Sequence, residues 1–162
     1  RAGVEKVMGF CTEDDHLRFL RTVPQFENML YESGITLIKY YLDISKDEQK
    51  KRLQARRDDP LKQWKLSPID KKAVQLFEYY SLARDEMLAR SHTKHAPWTI
   101  VRADIKKTAR LNVLRDILHR VPYEGSKGDQ SAKKSGGTVA QPNRDVVFTY
   151  EDVYSRPGLL AR

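Results

Sequence analysis

Two short runs of β-branched and aromatic residues constrain the fold of this chain most strongly. The runs are ITLIKYYLDI at 35–44 and WTIVRA at 98–103, and amphipathic segments flank both. The first run lies between Gly34 and Ser45 and is typical of a strand buried on both faces, as strands of parallel sheets are. The order of elements predicts an α/β fold in which helices cover a parallel sheet. Because two strands make a poor sheet, we expect further strands from elsewhere, or a part of the domain that this sequence lacks.

Helix-start signals separate the helical segments of the chain. In each signal a Ser or Thr side chain can accept a hydrogen bond from a backbone amide of the first turn. Pro24 lies inside the first segment and is expected to break or restart that helix. Phe26 and Met29 continue its apolar face, which predicts that both are buried. The signals are Thr12 with Asp15, Ser45 with Glu48, and Ser67 with Pro68.

The composition changes after residue 123. Residues 124–143 are rich in Gly, Ser and Lys without periodicity, which predicts a flexible linker. The run DVVFTYEDVY at 145–154 has strand-like content but no evident pairing partner, so its role stays open. The sequence therefore predicts a domain over 1–123, a linker over 124–143 and a C-terminal tail over 144–162.

The basic charge of the chain is concentrated in one segment. The chain has 30 Lys and Arg against 22 Asp and Glu, a net charge of +8. Residues 50–66 alone hold seven basic and two acidic residues. Such a focus favours a polyanionic partner, namely nucleic acid, anionic lipid or phosphates. No apolar run is long enough to span a membrane, and a single cysteine makes a reducing cytoplasm the expected compartment.

Metal and nucleophile candidates are weak. His16, His92, His95 and His119 have no matching pattern of acids or thiols, and the pair His92 and His95, which lies in a polar loop, is better explained as solvated than as ligating. Cys11 is better explained as a small apolar residue than as a nucleophile, because no partner histidine is identifiable. Neither G-x-x-x-x-G-K-[ST] nor G-x-G-x-x-G occurs in the 162 residues, so the sequence holds no phosphate loop of these kinds. We assign no metal ligands.

The basic segment supports two interpretations. Arg52 and Arg56 are four residues apart and project from one face of a helix, while Lys62 and Lys65 follow a proline and flank Trp64. This arrangement suits a mobile flap whose cations converge on phosphate oxygens. The alternative is an exposed helix end whose basic residues complement the helix dipole, with Trp64 packed on the body. The pattern alone leaves both open.

The flap sequence resembles one family. DPLKQWKLSPID at 59–70, together with RAGVEKVMGF at 1–10 and APWTIVRADIKKTARLN at 96–112, resembles the polyphosphate kinase 2 family over roughly 1–123. The resemblance implies a P-loop kinase fold, a three-layer α/β sandwich with a parallel sheet and a helical lid over about 50–72. It also implies Mg²⁺-dependent transfer of a terminal phosphate between inorganic polyphosphate and a nucleotide, here a nucleoside diphosphate such as ADP or GDP. A cytoplasmic homo-oligomer without a membrane partner is the expected form.

The resemblance also implies roles for individual residues. Arg1 falls at the end of the family's Walker B segment and would contact phosphate near the metal, with Glu5 beside the same site as a nucleotide contact. The lid bases would clasp the transferring phosphates, and Arg56 is the best candidate for the catalytic contact together with Arg1. Arg110 would approach the nucleotide, although a surface salt bridge explains it nearly as well. The lid bases are Arg52, Arg56, Lys62 and Lys65.

Other matching residues have structural interpretations. Trp64 belongs to the lid framework and is expected to pack within the lid, and Asp59 with Pro60 is expected to form a turn. The match also includes the loop and helix start after the last strand, with Asp104, Lys106 and Lys107.

The sequence departs from the family in what it lacks. The family's Walker A lysine and Walker B aspartate precede the point that matches Arg1, so the fold is expected to be incomplete and this chain inactive without an N-terminal half as its partner. Other functions stay open: a kinase that uses ordinary nucleotide donors, a basic nucleic-acid-binding module, or an inactive scaffold fragment. Against the nucleic-acid module, the segment holds no series of base-stacking aromatic residues.

Overall fold

The computed structural model describes residues 1–123, 139–156 and 158–161. Helices and strands alternate through the first of these ranges, in agreement with the predicted α/β class. In chain order the elements are α1 (Val4–Met8), α2 (Glu13–Glu32), β1 (Lys39–Asp43), α3 (Lys46–Asp58), a 3₁₀ helix (Gln63–Lys65), α4 (Asp70–Ala73), α5 (Phe77–Ser91), β2 (Trp98–Arg102), α6 (Lys106–Arg120), β3 (Val147–Thr149) and α7 (Glu151–Ser155).

The sheet is mixed rather than wholly parallel. β1 and β2 pair in parallel, with Tyr41 opposite Ile100, so both apolar runs form strands with the predicted parallel direction. β3 then pairs antiparallel with β2, with Phe148 opposite Ile100. The prediction of a purely parallel sheet is therefore wrong at its third strand, and the segment without an evident partner supplies that strand. Leu42 is 60% exposed, so β1 is not buried on both faces.

Helix α2 runs through its proline. Thr12 caps the helix, because its hydroxyl accepts a hydrogen bond from the amide of Asp15, as predicted. The predicted break at Pro24 is wrong, because the helix is continuous over Glu13–Glu32. Leu20 and Glu27, one on each side of the proline, are both buried, and α2 packs against α5. These tertiary contacts hold the helix together despite the backbone hydrogen bond that proline removes.

A buried ion pair connects α2 to the sheet. The Lys39 ammonium donates hydrogen bonds to Glu27 Oε2 at 2.7 Å and to the Ser91 carbonyl at 2.6 Å. It also lies 4.7 Å from the centroid of the Trp98 ring. Because a buried ammonium needs its donors satisfied, this one side chain joins α2, β1, α5 and β2.

The core consists of two clusters that share β2 and β3. Apolar side chains also remain exposed, among them Phe26 and Met29, which are 58% and 64% exposed. The prediction that these two residues are buried is therefore wrong for the described structure. The first cluster contains Leu88, Ile100, Phe148 and Tyr150, and the second contains Val101, Ala103, Ala109 and Val147.

Two further predictions meet the limits of the described chain. Residues 124–138, most of the predicted linker, lie outside the described residues. Within those ranges, none of the helices combines the length and the apolar content that crossing a membrane requires.

The helical segment expected after Ser67 is divided into α4 and α5, and Ser67 Oγ accepts its hydrogen bond from the amide of Ile69.

We expect Thr12→Ala to lower the free energy of unfolding of the full-length protein by about 1 kcal/mol, because α2 would lose its N-terminal cap. Urea titration followed by circular dichroism measures this change. Thr12→Ser keeps the hydroxyl and is expected to stay within about 0.5 kcal/mol of the unaltered protein. Equal losses in the two variants, or no loss in Thr12→Ala, would show that the cap does not stabilise the helix.

Candidate functional site

The parallel pairing of β1 and β2 places the C-terminal ends of both strands on one side of the sheet. We call this side the carboxyl edge. Asp43 ends β1 and Arg102 ends β2, and α3 and α6 begin just beyond them. The loop after β2 is hydrogen-bonded to the start of α3, because the Asp104 carboxylate accepts from the amide of Ser45 at 2.8 Å. In open α/β sheets this carboxyl edge is where ligands bind.

A cavity of about 390 Å³ opens at this edge. Its volume is within the range typical of small-molecule sites. Asp43, Asp104 and Thr108 line the strand side, and Leu159 and Leu160 from the C-terminal segment line the opposite side. The cavity thus combines carboxylates with an apolar wall.

The predicted lid rises directly from this edge. Arg52 on α3 reaches back to the sheet, where its guanidinium donates to the carbonyls of Ala103 at 2.6 Å and Asp104 at 3.1 Å. The same side chain pairs with Glu48 at 2.7 Å. Arg52 therefore anchors the first helix of the lid to the end of β2.

Arg56 lies one turn further along α3 and joins the two ends of the lid. Its guanidinium donates to Asp70 Oδ2 at 2.8 Å, and Asp70 is the first residue of α4. The Arg56 side chain is about one third exposed. The pair therefore closes the loop between α3 and α4 while the Arg56 side chain stays partly exposed.

The lid loop itself begins with a tight turn. Asp59 Oδ1 accepts from the amide of Leu61 at 3.0 Å, and the Asp59 carbonyl accepts from the amide of Lys62 at 2.8 Å. The Lys62 ammonium lies 2.6 Å from the Asp59 carboxylate. These bonds confirm the turn expected at Asp59 and Pro60.

Trp64 at the lid tip does not pack on the body. It is 77% exposed, its indole donates to the Leu61 carbonyl at 3.0 Å, and the Lys65 ammonium lies 4.9 Å from its ring centroid. The interpretation in which this ring packs on the body is therefore wrong. The lid tip presents a flat aromatic surface and a cation to solvent.

The remaining predicted residues form two separate groups. Arg1 pairs with Glu5 at 3.4 Å and with Asp15 at 3.2 Å, near the start of α2. Among the residues that the structure describes, no ion pair or hydrogen bond joins Arg1 or Glu5 to the lid bases. Arg110 lies exposed on α6, and none of the carboxylates in the described residues pairs with it.

The start of α6 is also strongly basic. Lys106 and Lys107 occupy its first turn, which contains no acidic residue and has no side-chain cap. Within the described residues neither lysine has a salt-bridge partner, and both are exposed. A helix N-terminus already carries a partial positive charge, so the two lysines add further positive potential beside the carboxyl edge.

Sequence reasoning missed a buried ion pair below the lid. Asp43 and Arg84 are 5% and 4% exposed, and Arg84 Nη1 donates to Asp43 Oδ1 at 3.1 Å. Burial raises the pKa of the Asp43 carboxyl, although hydrogen bonds from Ala161 and Arg84 oppose that effect. An aspartate that ends an apolar strand run was the one local signal. Its partner lies 41 residues away, beyond any local pattern.

The described residues do not form a dedicated metal centre. Across 1–123, 139–156 and 158–161, no three His, Cys, Asp or Glu side chains come together in a way that could hold an ion. Magnesium typically binds through one or two carboxylates together with substrate phosphates, so such a cluster is not required for it.

Comparison with known proteins identifies the family. The sequence profile described as Polyphosphate kinase 2 matches residues 1–129. The chain belongs to the polyphosphate kinase 2 family. A GDP-polyphosphate phosphotransferase of Pseudomonas aeruginosa is 44% identical over 155 residues, which is 96% of this chain and 43% of that protein. An ADP-polyphosphate phosphotransferase of the same organism is 51% identical over 123 residues, or 76% and 40% of the two chains.

A solved structure of this family shares the fold. The polyphosphate kinase 2 crystal structure from Arthrobacter aurescens superposes with a TM-score of 0.66 at 34% sequence identity, over 83% of this chain and 49% of that one. The chain spans about two fifths of the length of the curated polyphosphate phosphotransferases that it matches.

We expect Asp70→Asn to loosen the lid, because Arg56 would lose its charged partner across the loop. A partly exposed pair of this kind contributes about 0.5–1 kcal/mol, so amide exchange in residues 59–69 should accelerate about two- to fivefold. Hydrogen–deuterium exchange of the full-length protein measures it. Asp58→Asn is the matched control, since the one side chain in the described residues that donates to Asp58 is Gln54, within α3. Similar exchange in both variants would contradict the closing role of the Arg56–Asp70 pair.

Proposed function

We propose that the full-length protein is a polyphosphate:nucleotide phosphotransferase that moves a terminal phosphate between inorganic polyphosphate and a nucleoside diphosphate, ADP or GDP. The observation that carries this proposal is a basic lid hinged at the carboxyl edge of the sheet in a chain of the polyphosphate kinase 2 family. The names of the relatives, which act on GDP or ADP with polyphosphate, support the same substrates.

The contacts of the lid bases suggest a division of work. Arg52 is tied to two backbone carbonyls and a carboxylate, so we assign it to anchoring the lid as well as to the phosphate potential. Arg56, Lys62 and Lys65 each have one partner among the described residues, and their own side chains are partly or fully exposed. Such pairs are weak in water and exchange readily for a more highly charged phosphate. We therefore propose that these three bases clasp the polyphosphate when the lid closes.

Closure of this lid would serve the reaction in two ways. Phosphoryl transfer depends mainly on positioning and on stabilising charge spread over phosphate oxygens, and both are supplied by converging guanidinium and ammonium groups. A closing lid also excludes water, which would otherwise compete as an acceptor. In this proposal Arg56 is the catalytic contact of the lid, because its planar donors can span two oxygens.

The residues outside the lid have assigned parts in the proposal. Arg1 contacts phosphate as the second catalytic residue, Glu5 lies beside it at the nucleotide, and Arg110 approaches the nucleotide from α6. The cations at the start of α6, which have no salt-bridge partner in the described part of the chain, support a polyanion on this side of the molecule. Mg²⁺ would neutralise phosphate charge, and its ligands would be oxygens of the substrate together with carboxylates outside the described residues.

We further propose that a P-loop and the remaining layers of a three-layer sandwich belong to a longer polypeptide that includes this chain. The length of the relatives supports this, and so do the exposed apolar side chains on α2 and α6, such as Met29 and Leu114. Alone, the chain is expected to be inactive. The cytoplasmic location and the homo-oligomer stay predictions.

The choice of donor tests this proposal against an ordinary nucleotide kinase. Purified full-length protein is supplied with GDP or ADP and either long-chain polyphosphate or ATP as donor, and nucleoside triphosphate formation is measured. We expect polyphosphate to support product formation at a rate at least about tenfold above ATP. Equal or faster transfer from ATP would contradict the proposal. Salt-dependent binding of single-stranded RNA that polyphosphate cannot compete away would instead favour the nucleic-acid module.

We expect Arg56→Ala to reduce turnover with polyphosphate at least about tenfold, which corresponds to about 1.4 kcal/mol of transition-state stabilisation. Lys94→Ala is the matched control, because Lys94 is exposed in the loop before β2, at the opposite end of the strands. It should retain the unaltered rate. Unchanged turnover in Arg56→Ala, with a normal circular dichroism spectrum, would remove Arg56 from the chemistry.

A further inference from the structure

A buried ion pair connects the end of β1, which leads into α3, to α5, which follows the predicted lid. Asp43 is the last residue of β1 and Arg84 lies near the middle of α5, and we call these two places the lid roots. Their side chains are almost wholly buried, and Arg84 Nη1 donates to Asp43 Oδ1 at 3.1 Å. The pair therefore fixes the relative position of both lid roots at the carboxyl edge.

The far C-terminal part of the chain completes this ion pair. We name residues 158–161 the C-terminal strap. The amide of Ala161 donates to Asp43 Oδ2 at 2.7 Å, and the Ala161 carbonyl accepts from Arg84 Nη1 at 2.8 Å. One residue of the strap thus bonds to both members of the pair, across a separation of 118 residues from Asp43.

The strap is also held by its other residues. Leu159 and Leu160 pack against the core cluster that contains Leu88 and Ile100. The Leu159 carbonyl accepts from Arg102 at 3.4 Å, at the end of β2. The strap therefore crosses the ends of both parallel strands and forms the wall of the edge cavity.

The strap supplies one hydrogen bond to each member of the ion pair, and Arg84 also donates from Nε to Asp85 at 2.9 Å. A buried carboxylate is costly unless each oxygen has a donor, and here Oδ1 of Asp43 takes Arg84 while Oδ2 takes Ala161. Arg84 Nη2 is already buried without a partner among the described residues. Without the strap, Asp43 Oδ2 would lose the hydrogen bond that this backbone amide supplies.

Few other polar contacts hold the two lid roots together. Gln49 Oε1 on α3 and Tyr80 Oη on α5 are buried and have no hydrogen-bond partner in the described part of the chain. The pair between Lys46 and Glu78 joins the same helices, but it is exposed and contributes little. The strap-supported ion pair is a buried polar link between these two lid roots.

We propose that the C-terminal strap is a positioning element for the lid, with Asp43, Arg84 and Ala161 as its positioning residues. The strap holds the roots of α3 and α5 in register, and this register sets where Arg56 and the lid lysines meet phosphate. The catalytic consequence rests on the proposed function of the lid. The mechanical consequence, a lid that is more mobile without the strap, does not.

A single backbone change tests the strap. In the full-length protein, Ala161→Pro removes the amide that donates to Asp43, whereas Ala161→Gly retains it and is the matched control. We expect Ala161→Pro to accelerate amide exchange in residues 46–73 at least about threefold, with exchange in α2 unchanged. Ala161→Gly should leave both regions within about 1.5-fold of the unaltered protein. The KM for polyphosphate should rise at least about threefold in Ala161→Pro alone.

A second variant guards against general misfolding. Asp43→Leu combined with Arg84→Met removes both charges together, so no buried charge is left unpaired. It should reproduce the faster exchange in residues 46–73 while α2 stays protected. Unchanged lid exchange in both variants, or acceleration that extends equally to α2, would overturn the proposal. If the unaltered protein does not use polyphosphate, the proposed function fails, and the exchange pattern still decides the role of the strap.

Discussion

The parallel pairing of β1 with β2 is the constraint on which the rest of the structure depends. Parallel strands end at the same edge, so the helices that follow them must begin side by side. This brings the root of α3, the basic start of α6 and the loop at Asp104 together. The predicted lid is the segment between α3 and α5, and its first helix begins at this edge.

The electrostatics of the lid distinguish fixed from exchangeable cations. Arg52 donates to two backbone carbonyls of the main body, and both carbonyls would lose this donor if the side chain moved away. Arg56 and Lys62 pair with single carboxylates at partly exposed positions, where water screens the attraction. In the proposed function, a polyphosphate chain would replace these partners collectively, because it offers many charges at short spacing. Arg56 and Lys62 would then be released from their carboxylates at little energetic cost.

Sequence reasoning predicted the features that depend on neighbouring residues. The two parallel strands, the caps at Thr12 and Ser45, and the turn at Asp59 all follow from local patterns, and the structure contains each. It failed where distant contacts decide. β3 finds its partner only after a long intervening segment, Pro24 is tolerated because α2 packs on α5, and Asp43 pairs with residues far along the chain. Family resemblance supplied the assigned roles of the lid bases, which composition and spacing alone left open between two interpretations.

The most direct test of the central claim is a distance measured across the lid. Spin labels at Leu61→Cys on the lid and Leu111→Cys on α6, both exposed positions, are placed in the full-length protein with its other cysteines replaced. Double electron–electron resonance then reports the separation. Addition of long-chain polyphosphate should shorten the mean distance and narrow its distribution, whereas single-stranded RNA at equal phosphate concentration should leave both unchanged. An unaltered distribution when polyphosphate is bound would contradict a lid that closes on phosphate.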